Sequence, residues 1–142
     1  MKEYTKYRNI NRGYMKLDVW QKAIELNKLI AKTVYSEPRI DFKLRSQIVD
    51  SSLSVASNIA EGYSRRSIKE YIQFLYIALA SMSETLTRSV GLREIVFITE
   101  KQFQEIDSLH YEIENKLIRL IESLEKKKNN GTWIDHIEKT EN

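Results

Sequence analysis

The sequence predicts an all-α protein, an antiparallel up-down-up-down four-helix bundle that associates with copies of itself. Three observations carry that reading. The chain of 142 residues holds one proline and four glycines, so long stretches are free to be helical. Four of those stretches repeat apolar residues every three to four positions. The connections between them are short, which sets neighbouring helices antiparallel. One domain of this length can bury a core without disulfides or metals.

Residues 1–15 show no helical apolar stripe and read as a basic N-terminal arm carrying Tyr4, Tyr7 and Tyr14. Residues 16–128 read as the bundle and residues 129–142 as a C-terminal tail. The net charge of +3 is mild, but Lys2, Lys6, Arg8, Arg12 and Lys16 face only Glu3 within the first sixteen residues. Tyrosines among cations suit RNA, because rings stack on bases while cations meet phosphates. They suit a docked or disordered terminus as well.

The first helix is expected from Lys16 to Ser36, with Trp20, Ala23, Ile24, Leu26, Leu29, Ile30, Ala31 and Val34 on its apolar face. Pro38 stops it, because the residue before proline avoids the α region. Trp20 reads as packing. The second helix is expected from Asp41 to Glu61, with Gly62 as its C′ residue. Leu44, Ile48, Val49, Leu53, Val55, Ala56, Ile59 and Ala60 form its apolar half. Gln47, Ser51, Ser54, Asn58 and Glu61 recur in steps of 4, 3, 4 and 3 as one polar stripe. The stripe is either a solvated face or a hydrogen-bonded seam fixing helix register or an oligomer contact.

A basic turn follows, with Arg65, Arg66 and then Lys69. Ser67 and Glu70 form a capping box opening the third helix, which is expected to reach Val96. Ile68, Tyr71, Ile72, Leu75, Leu79, Met82 and Leu86 line one face, and Phe74, Tyr76, Ile77, Ala78 and Ala80 make its first half apolar nearly all round. A helix hydrophobic on every side is buried on more than one side, and a lone bundle covers only one. Self-association is expected on that ground. Thr99 and Gln102 open the fourth helix with a second capping box. Phe103, Ile106, His110, Ile113, Leu117, Leu120 and Leu124 form its seam, and Lys126, Lys127 and Lys128 suit its negative end. Asn129-Asn130-Gly131 breaks it. Trp133, Ile134 and Ile137 in the tail fit either a short docked helix or disorder.

Chemistry is sparse. With no cysteine there is no thiolate site or disulfide. His110 and His136 are the only histidines, and His110 reads as a core or edge residue. The paired Glu-x-x-His motifs of di-iron bundles are absent, as is a phosphate loop. Glu61 and Glu84 read as capping or ion-paired groups. No catalytic constellation emerges, so we expect no enzyme, no cofactor and no metal. No apolar run approaches the ~18 residues of a membrane span, and the chain reads as cytoplasmic. The candidate nucleic-acid residues are Lys6, Arg8, Arg12, Lys16, Arg65, Arg66 and Lys69, with Lys126–Lys128 as a further patch. Each alone also fits a solvated charge cluster. Repetition around an oligomer multiplies such patches.

Leu17-Asp18-Val19-Trp20-Gln21-Lys22-Ala23 resembles the opening of the 23S rRNA intervening-sequence protein family. Ser46-Gln47-Ile48, Ser57-Asn58-Ile59-Ala60-Glu61-Gly62, Glu70-Tyr71 and Phe74-Leu75-Tyr76-Ile77-Ala78 resemble its next blocks. The resemblance runs from about Leu17 to Leu124. It implies a four-helix bundle assembled as a pentamer, a five-fold ring, associated with inserted sequences of large-subunit rRNA genes and of undefined molecular function. The similar accessory variability determinants of diversity-generating retroelements are basic pentamers that bind a reverse transcriptase and nucleic acid. That likeness implies a protein partner as the alternative role. The chain departs from the pattern at Val49-Asp50, where basic residues are usual, at Ala56 for proline, and at Glu84-Thr85-Leu86-Thr87. The first departure removes positive charge from the second helix. Trp20, Gln47, Asn58, Glu61, Gly62, Glu70 and Tyr71 are expected to serve structure and assembly.

Overall fold

The computed structural model describes residues 8–9 and 13–132, and every structural statement below concerns these. They form a 3-10 turn, Gly13–Lys16, followed by α1 (Asp18–Tyr35), α2 (Phe42–Tyr63), α3 (Ile68–Glu94) and α4 (Glu100–Asn130), with no strand among the described residues. The fold is all-α.

Local chemistry sets each boundary. The Asp41 carboxylate accepts from the Leu44 N–H and starts α2. Thr99 and Gln102 complete a reciprocal capping box on α4. Ser67 accepts from the Glu70 N–H, but the Glu70 carboxylate turns to the Ser67 hydroxyl at 3.2 Å, so the box on α3 is half made. Gly131 closes α4 at φ +66, the left-handed conformation glycine adopts freely.

Gly62 requires a correction. It does not stand beyond the end of α2 but inside it, and the cap falls at Ser64. Its function is closeness. A Cβ there would lie 2.7 Å from Phe74 Cβ and 3.1 Å from both Tyr71 Cδ1 and the Tyr71 carbonyl. α3 passes where only a hydrogen fits.

α1 packs on α2, α2 on α3, α3 on α4, and α4 back on α1. Leu26, Ile30, Ile48, Ile59, Leu75, Met82, Ile106, Ile113 and Leu117 are almost wholly withdrawn from solvent at the centre. His110 is buried among them, its Nε2 2.9 Å from the Met82 carbonyl. Two expected core leucines, Leu44 and Leu53, are instead exposed, and Ile121 rather than Leu120 completes the buried seam of α4.

Three residues of the α2 polar stripe, Gln47, Ser51 and Ser54, form a seam against α3, whereas Glu61 is exposed. Ser54 Oγ lies 3.0 Å from Ser81 Oγ, Ser51 Oγ lies 2.9 Å from Thr85 Oγ1, and Arg88 donates to Gln47 Oε1 at 2.9 Å. Asn58 donates to the Ser54 carbonyl and hydroxyl. Ser52, Thr85 and Ser89 are fully buried, and no buried side-chain nitrogen or oxygen lacks a partner. Satisfied hydroxyls of this kind let helices approach closely and penalise any slip in register.

Candidate nucleic-acid interface

The predicted basic residues divide into three groups. Lys6 and Arg12 lie outside the described residues. Arg8, Lys16, Arg66 and Lys69 are exposed. Arg65 is half-buried: its guanidinium stands 4.7 Å over the Phe74 ring and 3.6 Å from the Glu61 carboxylate. Arg65 therefore braces the α2–α3 turn and is the least free of the group. Glu61 takes the ion-paired role expected of it, and so does Glu84, which meets Arg88 at 3.0 Å.

A row of rings joins the segments that carry Lys16, Arg65, Arg66 and Lys69. Trp20 on α1 meets Tyr14 of the 3-10 turn edge-on at 5.5 Å. Tyr14 meets Tyr63 of α2 at 6.3 Å, and Tyr63 meets Tyr71 of α3 at 5.9 Å. Edge-to-face geometry matches the positive rim of one ring to the negative face of the next. Gln21 Nε2 donates to the Met15 carbonyl and fixes the turn to α1. The row joins the first turn of α1, the last of α2 and the first of α3. Lys16 therefore lies at the same end of those helices as Arg66 and Lys69. Burial pushes the Tyr71 phenol above its ordinary range, and the neighbouring Tyr63 adds to the shift. Trp20, Gly62, Glu70 and Tyr71 all stand at this junction, whereas Gln47 sits far along α2 beside Arg88. Sequence reasoning missed Tyr63, which links Tyr14 to Tyr71; its position one residue after Gly62 was the available signal.

Among the described residues no three histidine or acidic side chains cluster as a metal site. No helix among them is long and apolar enough to cross a membrane.

The fold and this basic, aromatic-braced end define a small all-helical protein. The profile of the 23S rRNA-intervening sequence protein family matches residues 15–119, and the chain belongs to that family. It is also similar to the crystal structure of a protein of unknown function from the S23 ribosomal protein family of Bacteroides thetaiotaomicron. That likeness has 29% identity and a TM-score of 0.67, covering 72% of this chain and 97% of the other. No curated protein sequence matches it.

Proposed function

We propose that this protein is a non-enzymatic, self-associating RNA-associated protein of the cytoplasm, and that the end carrying Lys16, Arg66 and Lys69 is its RNA-binding surface. The observation that carries the reading is the meeting of separated cations at one end, braced by the aromatic row. The family's association with a 23S rRNA intervening sequence supports it.

In this reading the four helices run up-down-up-down. Cross-helix pairs support that sense. Ser54–Ser81, Ser51–Thr85 and Gln47–Arg88 step in opposite directions along α2 and α3, as do Asp18–Lys116 and Lys22–Glu112 along α1 and α4. Met82–His110 and Arg93–Phe103 do the same for α3 and α4. Lys126, Lys127 and Lys128 then join the basic end. Tyr76, Ile77 and Ala80 on α3 are exposed, which leaves apolar surface for a neighbouring copy. Five-fold closure, the arrangement the family resemblance implies, repeats the basic end five times and multiplies its phosphate contacts.

The test is retention of single-stranded RNA on a filter across a salt series. Binding weakens linearly with log salt, by about 0.7 in slope for each phosphate contact. Arg66→Glu with Lys69→Glu reduces the slope by roughly 1.4 if each cation meets one phosphate. An oligomer that ignores RNA refutes this reading and favours a scaffold that docks a protein partner, such as a reverse transcriptase.

A further inference from the structure

Asparagine followed by glycine occurs once in the chain, at Asn130-Gly131, where α4 ends. Asn27 and Asn58, by contrast, are engaged within the bundle. Asn27 donates to the Val49 carbonyl and the Ser52 hydroxyl, and Asn58 to Ser54. Lys28 and Ile59, which follow them, both carry side chains. The side-chain amide of Asn130 has no hydrogen-bond partner among the described residues. Every residue from Lys126 to Thr132 is exposed.

Gly131 leaves its own backbone nitrogen open to reaction. It has no side chain to shield that nitrogen, and a Cβ built there would meet nothing within 4 Å. Its N–H reaches the Lys128 carbonyl at 3.3 Å, longer than an ordinary helical bond. The last turn of a helix also opens at the least cost. A free amide therefore stands next to a weakly held, unhindered backbone nitrogen.

We propose that Asn130 is a site of spontaneous deamidation, and that its conversion weakens the hold of the basic end on RNA. The Gly131 nitrogen gives its proton to hydroxide and attacks Cγ of Asn130. The new N–C bond closes a five-membered succinimide. The bond from Cγ to the amide nitrogen breaks, and that nitrogen leaves as ammonia with a proton from water, which restores the hydroxide. A second water opens one of the two ring carbonyls and gives aspartate or isoaspartate. No atom is oxidised or reduced.

Either product places a carboxylate at the C-terminus of α4, where the helix dipole already presents negative charge. The carboxylate stands three and four positions from Lys127 and Lys126, the spacing at which helix side chains pair. Glu125 already meets Lys128 in this way at 3.3 Å. A lysine so paired is withdrawn from phosphate. This second half of the proposal rests on the RNA-binding reading of the basic end; the chemistry does not.

The full chain, aged in warm, mildly alkaline buffer and then cut with trypsin, tests the chemistry. The peptide running from residue 129 to residue 139 is expected to gain the mass that replacing NH2 by OH adds. Fragmentation is expected to place the gain at Asn130, and an isoaspartyl methyltransferase to label it. Asn130→Gln, which would need a six-membered ring, is expected to abolish the gain. No gain, a gain at Asn129, or an equal gain in the glutamine variant overturns the site. Asn130→Asp, made directly, is expected to lower the RNA salt slope by about 0.7, the share of one phosphate contact. A slope equal to that of a wild type that does bind RNA overturns the weakening and leaves the RNA reading intact. A wild type that binds no RNA overturns the weakening together with that reading.

Discussion

Replacing Gly62 with alanine tests the closest approach in the fold. The added methyl carbon would sit 2.7 Å from Phe74 Cβ and 3.1 Å from the Tyr71 carbonyl. Ordinary carbon contacts fall at about 3.5–4.0 Å, so α2 and α3 must part by roughly 1 Å at this point. Neither obstacle can rotate away, because one is a Cβ and the other is backbone. Overpacking of this kind costs about 1–3 kcal/mol. Alanine returns about 1 kcal/mol through helix propensity. The steric cost belongs at the upper end of its range, since the nearest hydroxyl seam, Ser54–Ser81, resists the same separation. The expected net loss is about 1–2 kcal/mol. At about 3 °C per kcal/mol for a domain of this size, Tm falls by roughly 3–6 °C. Thermal unfolding followed by circular dichroism measures it. An unchanged or higher Tm would refute the claim that glycine is there for closeness.

Further outcomes concern stability. Thr85→Val keeps shape but removes the hydroxyl facing buried Ser51, and is expected to cost about 1 kcal/mol. Ser51→Ala is expected to cost a similar amount, with the double variant less damaged than the sum; strict additivity in urea unfolding would show that the seam carries no coupling. For Tyr71, the folded phenol titrates above the unfolded one, so its contribution is complete below pH ~10 and declines as pH rises beyond it, where the unfolded chain releases its proton first. Tyr71→Phe is expected to remove part of that alkaline decline in the urea midpoint, and identical slopes in the two proteins would argue against it. The charge-reversal pair Arg66→Glu and Lys69→Glu, already tied to the RNA salt slope, is expected to leave the unfolding free energy within about 0.5 kcal/mol of wild type, since both side chains are exposed.

Periodicity and punctuation made the helices legible. Pro38, the Asp41, Ser67 and Thr99 caps and Gly131 each leave a local mark that needs no tertiary information. Burial of small polar residues left no such mark. Ser52, Thr85 and Ser89 read as surface until their partners are in place: the Asn27 amide for Ser52, the Ser51 hydroxyl for Thr85 and the Thr85 carbonyl for Ser89. Leu44 reads as core because a hydrophobic count cannot tell the wall of an open hollow from the interior, and Leu53 because the count cannot tell an exposed edge of the helix from its buried face. An antiparallel order already sets Lys16 at the same end as Arg66 and Lys69. What was not legible is the bracing of that end by ring contacts between residues 14, 20, 63 and 71, which lie on four separate segments.

The same ring contacts make the protein its own optical probe. Trp20 sits 5.5 Å from Tyr14, which in turn neighbours Tyr63, so light absorbed by these phenols passes to one indole. Anything that lifts the 3-10 turn from α1 separates donor from acceptor and frees the indole edge for water. With Trp133 replaced by phenylalanine, the emission of Trp20 would report the seating of the basic segment without any attached dye.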